Sequence, residues 1–222
     1  MWNHKKVYRV YKENELQLKH RKRQRIEVAE RKPMSTASRP NEVWSIDFMS
    51  DGLTNGRKFR TFNVLDDFNR ECLTVEVDTS LPSIRIIRSL EVIGSECGYP
   101  KYLRSDNGPE FISRSFRKFC CTHRIRHRRI EPGKPQQNSY IERFNRSYRE
   151  DILDMYAFSN LRQVRELTSE WLIEYNYDRG HDSLNGKSPV EYARCFPPFT
   201  PQQLDEGPKG GKQLSKCETL QF

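Results

Sequence analysis

Between Asn41 and Asp78 three runs alternate apolar and polar residues with only turn signals between them, and this restricts the fold more than any other feature of the chain. In NEVWSIDFMS (Asn41 to Ser50), Trp44, Ile46 and Phe48 fall on one side of a strand, and Val43, Ser45, Asp47 and Met49 on the other, because successive strand side chains point to opposite faces. Asp51-Gly52 and Asn55-Gly56 mark turns. KFRTFNVLDD (Lys58 to Asp67) then gives a second strand, and ECLTVEVD (Glu71 to Asp78) a third after a tight connection at Asp67 to Arg70. The three form an antiparallel meander.

The periodicity then changes. SIRIIRSLEVIGSECG (Ser83 to Gly98) places Ile86, Ile87, Leu90 and Ile93 at helical spacing, with Gly98 and Pro100 as stop signals. YLRSD (Tyr102 to Asp106) reads as a fourth strand, SRSFRKFCCTH (Ser113 to His123) as a helix and IRHRRIEP (Ile125 to Pro132) as a fifth strand, followed by helices over about 139–155 and 161–177. Strands joined through helices are parallel neighbours, so the order predicts an α/β fold: a mixed five-stranded sheet, three antiparallel strands then parallel ones, flanked by helices. At 222 residues the chain has one core's worth of sequence and room for extensions.

Charge is unevenly spread. The chain carries 39 Lys and Arg against 30 Asp and Glu, a net +9, and residues 1 to 40 hold twelve basic and four acidic residues, so nearly all the excess lies in that arm. A basic arm points to a polyanionic partner. It reads as a helical segment over 1–32 with Val7, Val10, Tyr11, Leu16 and Leu18 as a partial apolar face, in which Lys19, Arg21, Lys22, Arg23 and Arg25 are candidate phosphate contacts. Pro33 to Pro40 reads as a linker, 41–196 as the folded unit and 197–222 as a flexible tail. Six cysteines form no regular framework, and no apolar run suits a signal peptide or membrane span, which fits a reduced, cytoplasmic protein. Cys120, Cys121, His123 and His127 are ligand types for zinc, but they straddle a helix end and a strand start and need not share a face.

Three carboxylates stand out, each with an ordinary explanation. Asp47 lies inside a strand, where an ionised group is costly unless paired or metal-bound; an edge strand facing solvent explains it equally. Asp106 precedes Asn107-Gly108 and fits an Asx turn. Glu142 follows Ser139 at capping-box spacing, which would turn it back to the Ser139 N–H. Taken together, strand ends beside a switch in strand order are where open α/β sheets place sites, and a carboxylate cluster there suits Mg²⁺ or Mn²⁺.

These motifs carry a resemblance. Asp47, SDNGPEF (Ser105 to Phe111), EPGKPQQNSYIERFNR (Glu131 to Arg146), EYNYDRGH (Glu174 to His181) and SPVEYA (Ser188 to Ala193) resemble the integrase core of bacterial insertion-sequence transposases, most closely those of insertion-sequence family three, relatives of retroviral integrases. The resemblance runs from about Val7 to Ala193. It implies a ribonuclease-H-like fold and a DDE polynucleotidyl transferase whose catalytic and metal-binding residues are Asp47, Asp106 and Glu142, with 35 residues between the last two, holding two Mg²⁺ or Mn²⁺ ions. It gives Asp66, Asp67 and Glu110 supporting roles. Pro132 to Ser139 becomes a flexible loop over the site. Lys134, Asn138, Arg143, Asn145, Arg146 and Arg149 become candidate DNA contacts, and Trp44, Trp171 and Tyr175 core. The implied partners are DNA, both element ends and target, further copies of the chain assembled on that DNA, and the product of an upstream reading frame; no membrane is implied.

Two departures qualify it. The chain begins where the family's second helix-turn-helix segment is nearly finished, leaving a truncated DNA-binding module, and Gly180 stands where the family commonly has Pro, which predicts a looser exit from the last helix. A truncated DNA-binding remnant and a ribonuclease-H-type nuclease are therefore the alternative functions.

Overall fold

A computed structural model describes residues 3–16, 37–131, 135–197 and 199, without side-chain detail at 135 and 136. The chain divides into a unit up to Met34 and a second from Ser35. In the first, α1 (His4–Glu13) opens on Asn3, whose side chain accepts from the Lys5 N–H at 3.0 Å, and Val7, Tyr8, Val10 and Tyr11 are exposed. The candidate contacts Lys19, Arg21, Lys22, Arg23 and Arg25 lie outside the described residues, as do the tail beyond Phe199 and the first half of the linker.

The second unit is built on the expected sheet. Strands β1 (Val43–Gly52), β2 (Lys58–Asp66) and β3 (Cys72–Asp78) form the antiparallel meander, and β4 (Tyr102–Ser105) and β5 (Arg126–Arg129) add parallel to β1, giving the order β3-β2-β1-β4-β5. The alternation in β1 sorts its side chains between two layers. Trp44 and Ile46, with Phe48 at the margin, join Phe62, Val64 and Leu103 under α2 (Ser83–Cys97), α3 (Pro109–Ile112) and α4 (Arg114–Thr122). Met49 packs instead with Ile141, Phe144 and Tyr148 of α5 (Ser139–Tyr148) and Val164 and Trp171 of α6 (Leu161–Ile173). Trp44, Trp171 and Tyr175 are buried. Because β2 lies under both layers, it is buried almost throughout, Asn63 included.

The helices differ from expectation at their ends. α5 and α6 each finish in a π-helical turn, Arg149–Leu153 and Glu174–Asp178. The short α3, which begins with Pro at its first turn and buries Phe111, occupies a stretch that reads as a turn. SPVEYA forms α7 (Pro189–Ala193), and the reciprocal capping box lies there, between Ser188 and Glu191.

The two sheet edges are finished differently. Along β3, the Asn176 side chain accepts from the Cys72 N–H and donates to the Cys72 carbonyl, both at 2.9 Å, and the Arg165 guanidinium donates twice to the Val77 carbonyl, at 3.0 and 2.8 Å. At the other edge, β5 consists of Arg126, His127, Arg128 and Arg129.

Candidate active site

The site lies where β4 ends beside the middle of β1. Their parallel register pairs Ser45 with Arg104; extended by two residues, it sets Asp106 beside Asp47, on strands about 4.8 Å apart. Here the strand order runs outward in both directions from β1, the switch-point arrangement. Asp106 is exposed, and its Oδ1 accepts from the Gly108 N–H at 3.0 Å, so the Asx turn forms and fixes the carboxylate at the strand end. Beneath this edge, Asp67 takes a 2.6 Å ion pair from the buried Arg104 and a 2.6 Å hydrogen bond from Ser45. Leaving either partner alone costs about 3–5 kcal/mol, so this pairing holds β1 and β4 together below the site.

The third carboxylate comes from α5. A 3₁₀ turn (Pro135–Asn138) leads into the helix, making Asn138 the N-cap and Ser139 its first helical residue, and no side-chain capping bond forms there. Glu142 is therefore not held by a capping box; it is exposed in the first turn. One turn further on, the Asn145 Nδ2 donates to the Asp47 Oδ2 at 2.8 Å, and the Asn145 Oδ1 accepts from the Asn63 Nδ2 at 2.7 Å. Asn63 is the β2 partner of Asp47 across the sheet. Since residues i and i+3 share a helix face, clamping Asn145 to Asp47 sets Glu142 over the same edge.

Electrostatics links the three. Burial, reinforced by the charges of Asp106 and Glu142, pushes the Asp47 carboxyl up to about 6, against the backbone bond from Phe48 and the amide of Asn145 that favour its charged form. Among the described residues, no trio of acidic, His or Cys side chains is gathered closely enough to enclose an ion. The donor set nevertheless fits a hard divalent cation: all the charged donors are carboxylate oxygens, and the pressure on the Asp47 charge is what such a cation relieves. The zinc-type residues take separate partners. Cys120 is buried, His123 stacks on Tyr99 at 3.9 Å, and His127 Nε2 meets the Ser105 Oγ at 2.8 Å.

The candidate DNA contacts divide. Arg143 and Arg146 are exposed on α5. Asn138 is buried, and Asn145, only 9% exposed, spends its amide on Asp47 and Asn63. Arg149 bolts the end of α5 to β1, donating to Asp51 at 3.2 Å and to the Ser50 carbonyl at 3.1 Å. Lys134 lies outside the described residues. Of the supporting acids, Asp66 accepts from the Asn41 and Phe68 N–H groups, and Glu110 pairs with Arg60 at 2.5 Å. The clamp through Asn63 is the part that sequence reasoning missed, although an amide between Phe62 and Val64 in the β2 run was its signal.

Two family models described as integrase core domain match the chain, over residues 37–135 and 123–189. The 39.2 kDa protein of insertion element IS476 from Xanthomonas euvesicatoria is 40% identical over 194 residues, 87% of this chain and 56% of that protein. The 31.7 kDa protein of insertion element IS407 from Burkholderia multivorans is 38% identical over 191 residues, 86% of this chain and 69% of that one. The chain thus spans little more than half the length of the first of these relatives. The HTLV-2 integrase catalytic core domain, solved in complex with magnesium, superposes with a TM-score of 0.57 at 21% identity over 70% of this chain and 98% of its own. At that identity the likeness bears on the ribonuclease-H-like fold.

Proposed function

The chain belongs to the integrase core family of bacterial insertion elements, and from that premise we propose that it is a transposase that cuts DNA at the ends of such an element and joins the freed strand to a target. The observation that supports the reading is that the charges of Asp106 and Glu142 both act on the Asp47 carboxyl. Asp47 and Asp106 would share one divalent cation, and Glu142 with one of them would hold a second. When bound, Mg²⁺ or Mn²⁺ supplies activation of the attacking oxygen and stabilisation of the leaving one.

The reaction is phosphoryl transfer without a covalent protein intermediate. Water first displaces the 3′-oxygen at an element end, and the released 3′-hydroxyl then displaces a target oxygen at phosphorus. The protein's part is placement: Asn145 fixes the orientation of the Asp47 carboxylate, the Gly108 N–H fixes Asp106, and α5 delivers Glu142. Exposed Arg143 and Arg146, with Lys134 and the basic arm, hold the DNA backbone. Phosphate contacts of this kind give affinity and register, not sequence choice. The working form is a set of copies assembled on DNA, with an upstream reading-frame product as a further partner.

The test is strand transfer on pre-nicked element-end DNA with Mg²⁺ or Mn²⁺. Asp47→Asn, Asp106→Asn and Glu142→Gln should each lower joining by roughly a thousandfold or more, since several kcal/mol of charge stabilisation rest on the set. Joining at the wild-type rate by any of the three overturns the assignment. DNA binding without joining by the wild-type chain would instead identify a remnant, and cleavage confined to RNA–DNA hybrids a nuclease.

A further inference from the structure

Beside α5 lies a cavity of about 260 Å³ that the proposed chemistry does not use. Its walls come from three separate stretches: Arg70 in the β2–β3 connection, Tyr140 and Arg143 on α5, and Arg179 and His181 in the segment after α6. Three guanidinium groups and an imidazole thus converge on one hollow, with Asp182 as the acidic residue of the wall.

Each cation is held by something other than a full complement of acids. Arg70 lies over the Tyr140 ring, 3.4 Å from its centroid, and donates to the Phe68 carbonyl at 3.3 Å. Arg179 is anchored by Asp151. Arg143, exposed one residue beyond Glu142, makes no hydrogen bond or ion pair among the described residues. His181 is fixed through its backbone, its N–H donating to the Lys187 carbonyl at 3.0 Å, and its ring stands edge-on to Tyr175 at 5.2 Å. Its Nε2 is buried and has no hydrogen-bond partner among the described residues. A buried polar atom without a partner calls for an explanation. All three arginines press on this ring: burial first, then Arg179, Arg143 and Arg70, hold its pKa below the ordinary histidine value, with Asp182 opposing. Like charges gathered around one hollow are what an oxyanion settles, and guanidinium groups match phosphate oxygens two at a time.

We propose that this cavity is a second phosphate site, which seats a DNA backbone phosphate neighbouring the one at Asp47, Asp106 and Glu142. The inference rests on the DNA-joining reading above and extends it. Two features favour a polymer over a free anion. The cavity volume is several times the ~30 Å³ that a water occupies in the liquid, enough for a phosphate with part of its sugar. Arg143 also follows Glu142 directly on α5, about 100° further round the helix, so a strand reaching the carboxylates passes the mouth of the cavity.

The test is fluorescence anisotropy of a labelled DNA duplex with the full chain over a range of salt. Arg143 is on the exposed face of α5, so its replacement leaves the core intact. Arg143→Gln should weaken binding about tenfold or more, the loss expected for one charged hydrogen-bonding contact, and lower the slope of log K against log salt by about 0.9. Arg143→Lys should restore the slope but only part of the affinity. Arg162→Gln, on an exposed part of α6 paired with Glu166, should match wild type. A scan of single methylphosphonate substitutions should find one position whose neutralisation harms wild type and not Arg143→Gln. If the chain binds and joins DNA while Arg143→Gln keeps wild-type affinity and slope, the second site is refuted and the joining activity stands. If inorganic phosphate raises the melting temperature of wild type but not Arg143→Gln, and DNA binding is unchanged, the cavity is a free-anion site and the proposal is again refuted. If wild type binds no DNA, both readings fall.

Discussion

Asn145 ties the candidate site to the sheet. Its amide donates to Asp47 and accepts from Asn63, so one side chain spans α5, β1 and β2. Asn145→Ala would leave the buried Asn63 Nδ2 without an acceptor, and stability should drop by about 1–3 kcal/mol in denaturant titrations. It would also release Asp47; losses of this kind in groups supporting a metal ligand cost about 10–100-fold in activity or metal affinity. Strand transfer and isothermal metal titration of the folded variant read the two effects separately, and unchanged metal binding would remove the orienting role. Asp47, Asp106 and Glu142 were legible through the resemblance carried by the motifs around them; singly, each had an ordinary explanation. Asn145 read as a DNA contact because helical periodicity tells which residues share a face, not which polar residue of a strand that face meets.

At the scale of elements, the segment from Arg179 to Lys187 shows what the sequence conceals. Gly180 suggested a loosened exit from α6. In the structure the segment closes on itself: the Gly186 and Leu184 N–H groups donate to the His181 carbonyl, and the His181 N–H to Lys187. A Cβ at Gly180 would stand 2.6 Å from the Gly186 carbonyl oxygen. Gly180→Ala should therefore destabilise the fold by about 1–3 kcal/mol, as other overpacked sites do, seen as a lower urea midpoint at unchanged slope; an unaltered midpoint would mean the segment can open at no cost. The strands and long helices were readable from periods of 2.0 and 3.6 residues. Elements of four or five residues, α3 and α7, are too short to show a period, and the position of a capping box depends on where the preceding turn ends, which moved the N-cap from Ser139 to Asn138.

For the molecule as a whole, acids inside the fold set a pH dependence. Complete burial pushes the Asp66 carboxyl up to about 7, despite the backbone N–H bonds from Phe68 and Asn41. Between the unfolded value near 4 and 7, the native state binds a proton that the unfolded chain has released. The difference in bound protons is then negative, and stability falls as pH rises. The contribution is complete below about pH 4 and is lost by about pH 7. Asp66→Asn removes it, so over pH 5 to 7 the wild-type unfolding free energy should decline relative to the variant by up to about 1.4 kcal/mol per pH unit. Parallel curves in urea titrations would refute it.

The finished edges of the sheet have a consequence for handling and for assembly. A strand with open amide and carbonyl groups invites another chain to extend the sheet. On β3, Asn176 and Arg165 already take up the Cys72 and Val77 backbone groups, and on β5 a row of arginines repels its own copy. Concentrated protein should therefore resist conversion to cross-β fibres, and in the proposed assembly on DNA copies would meet through side chains rather than through a continuous ladder.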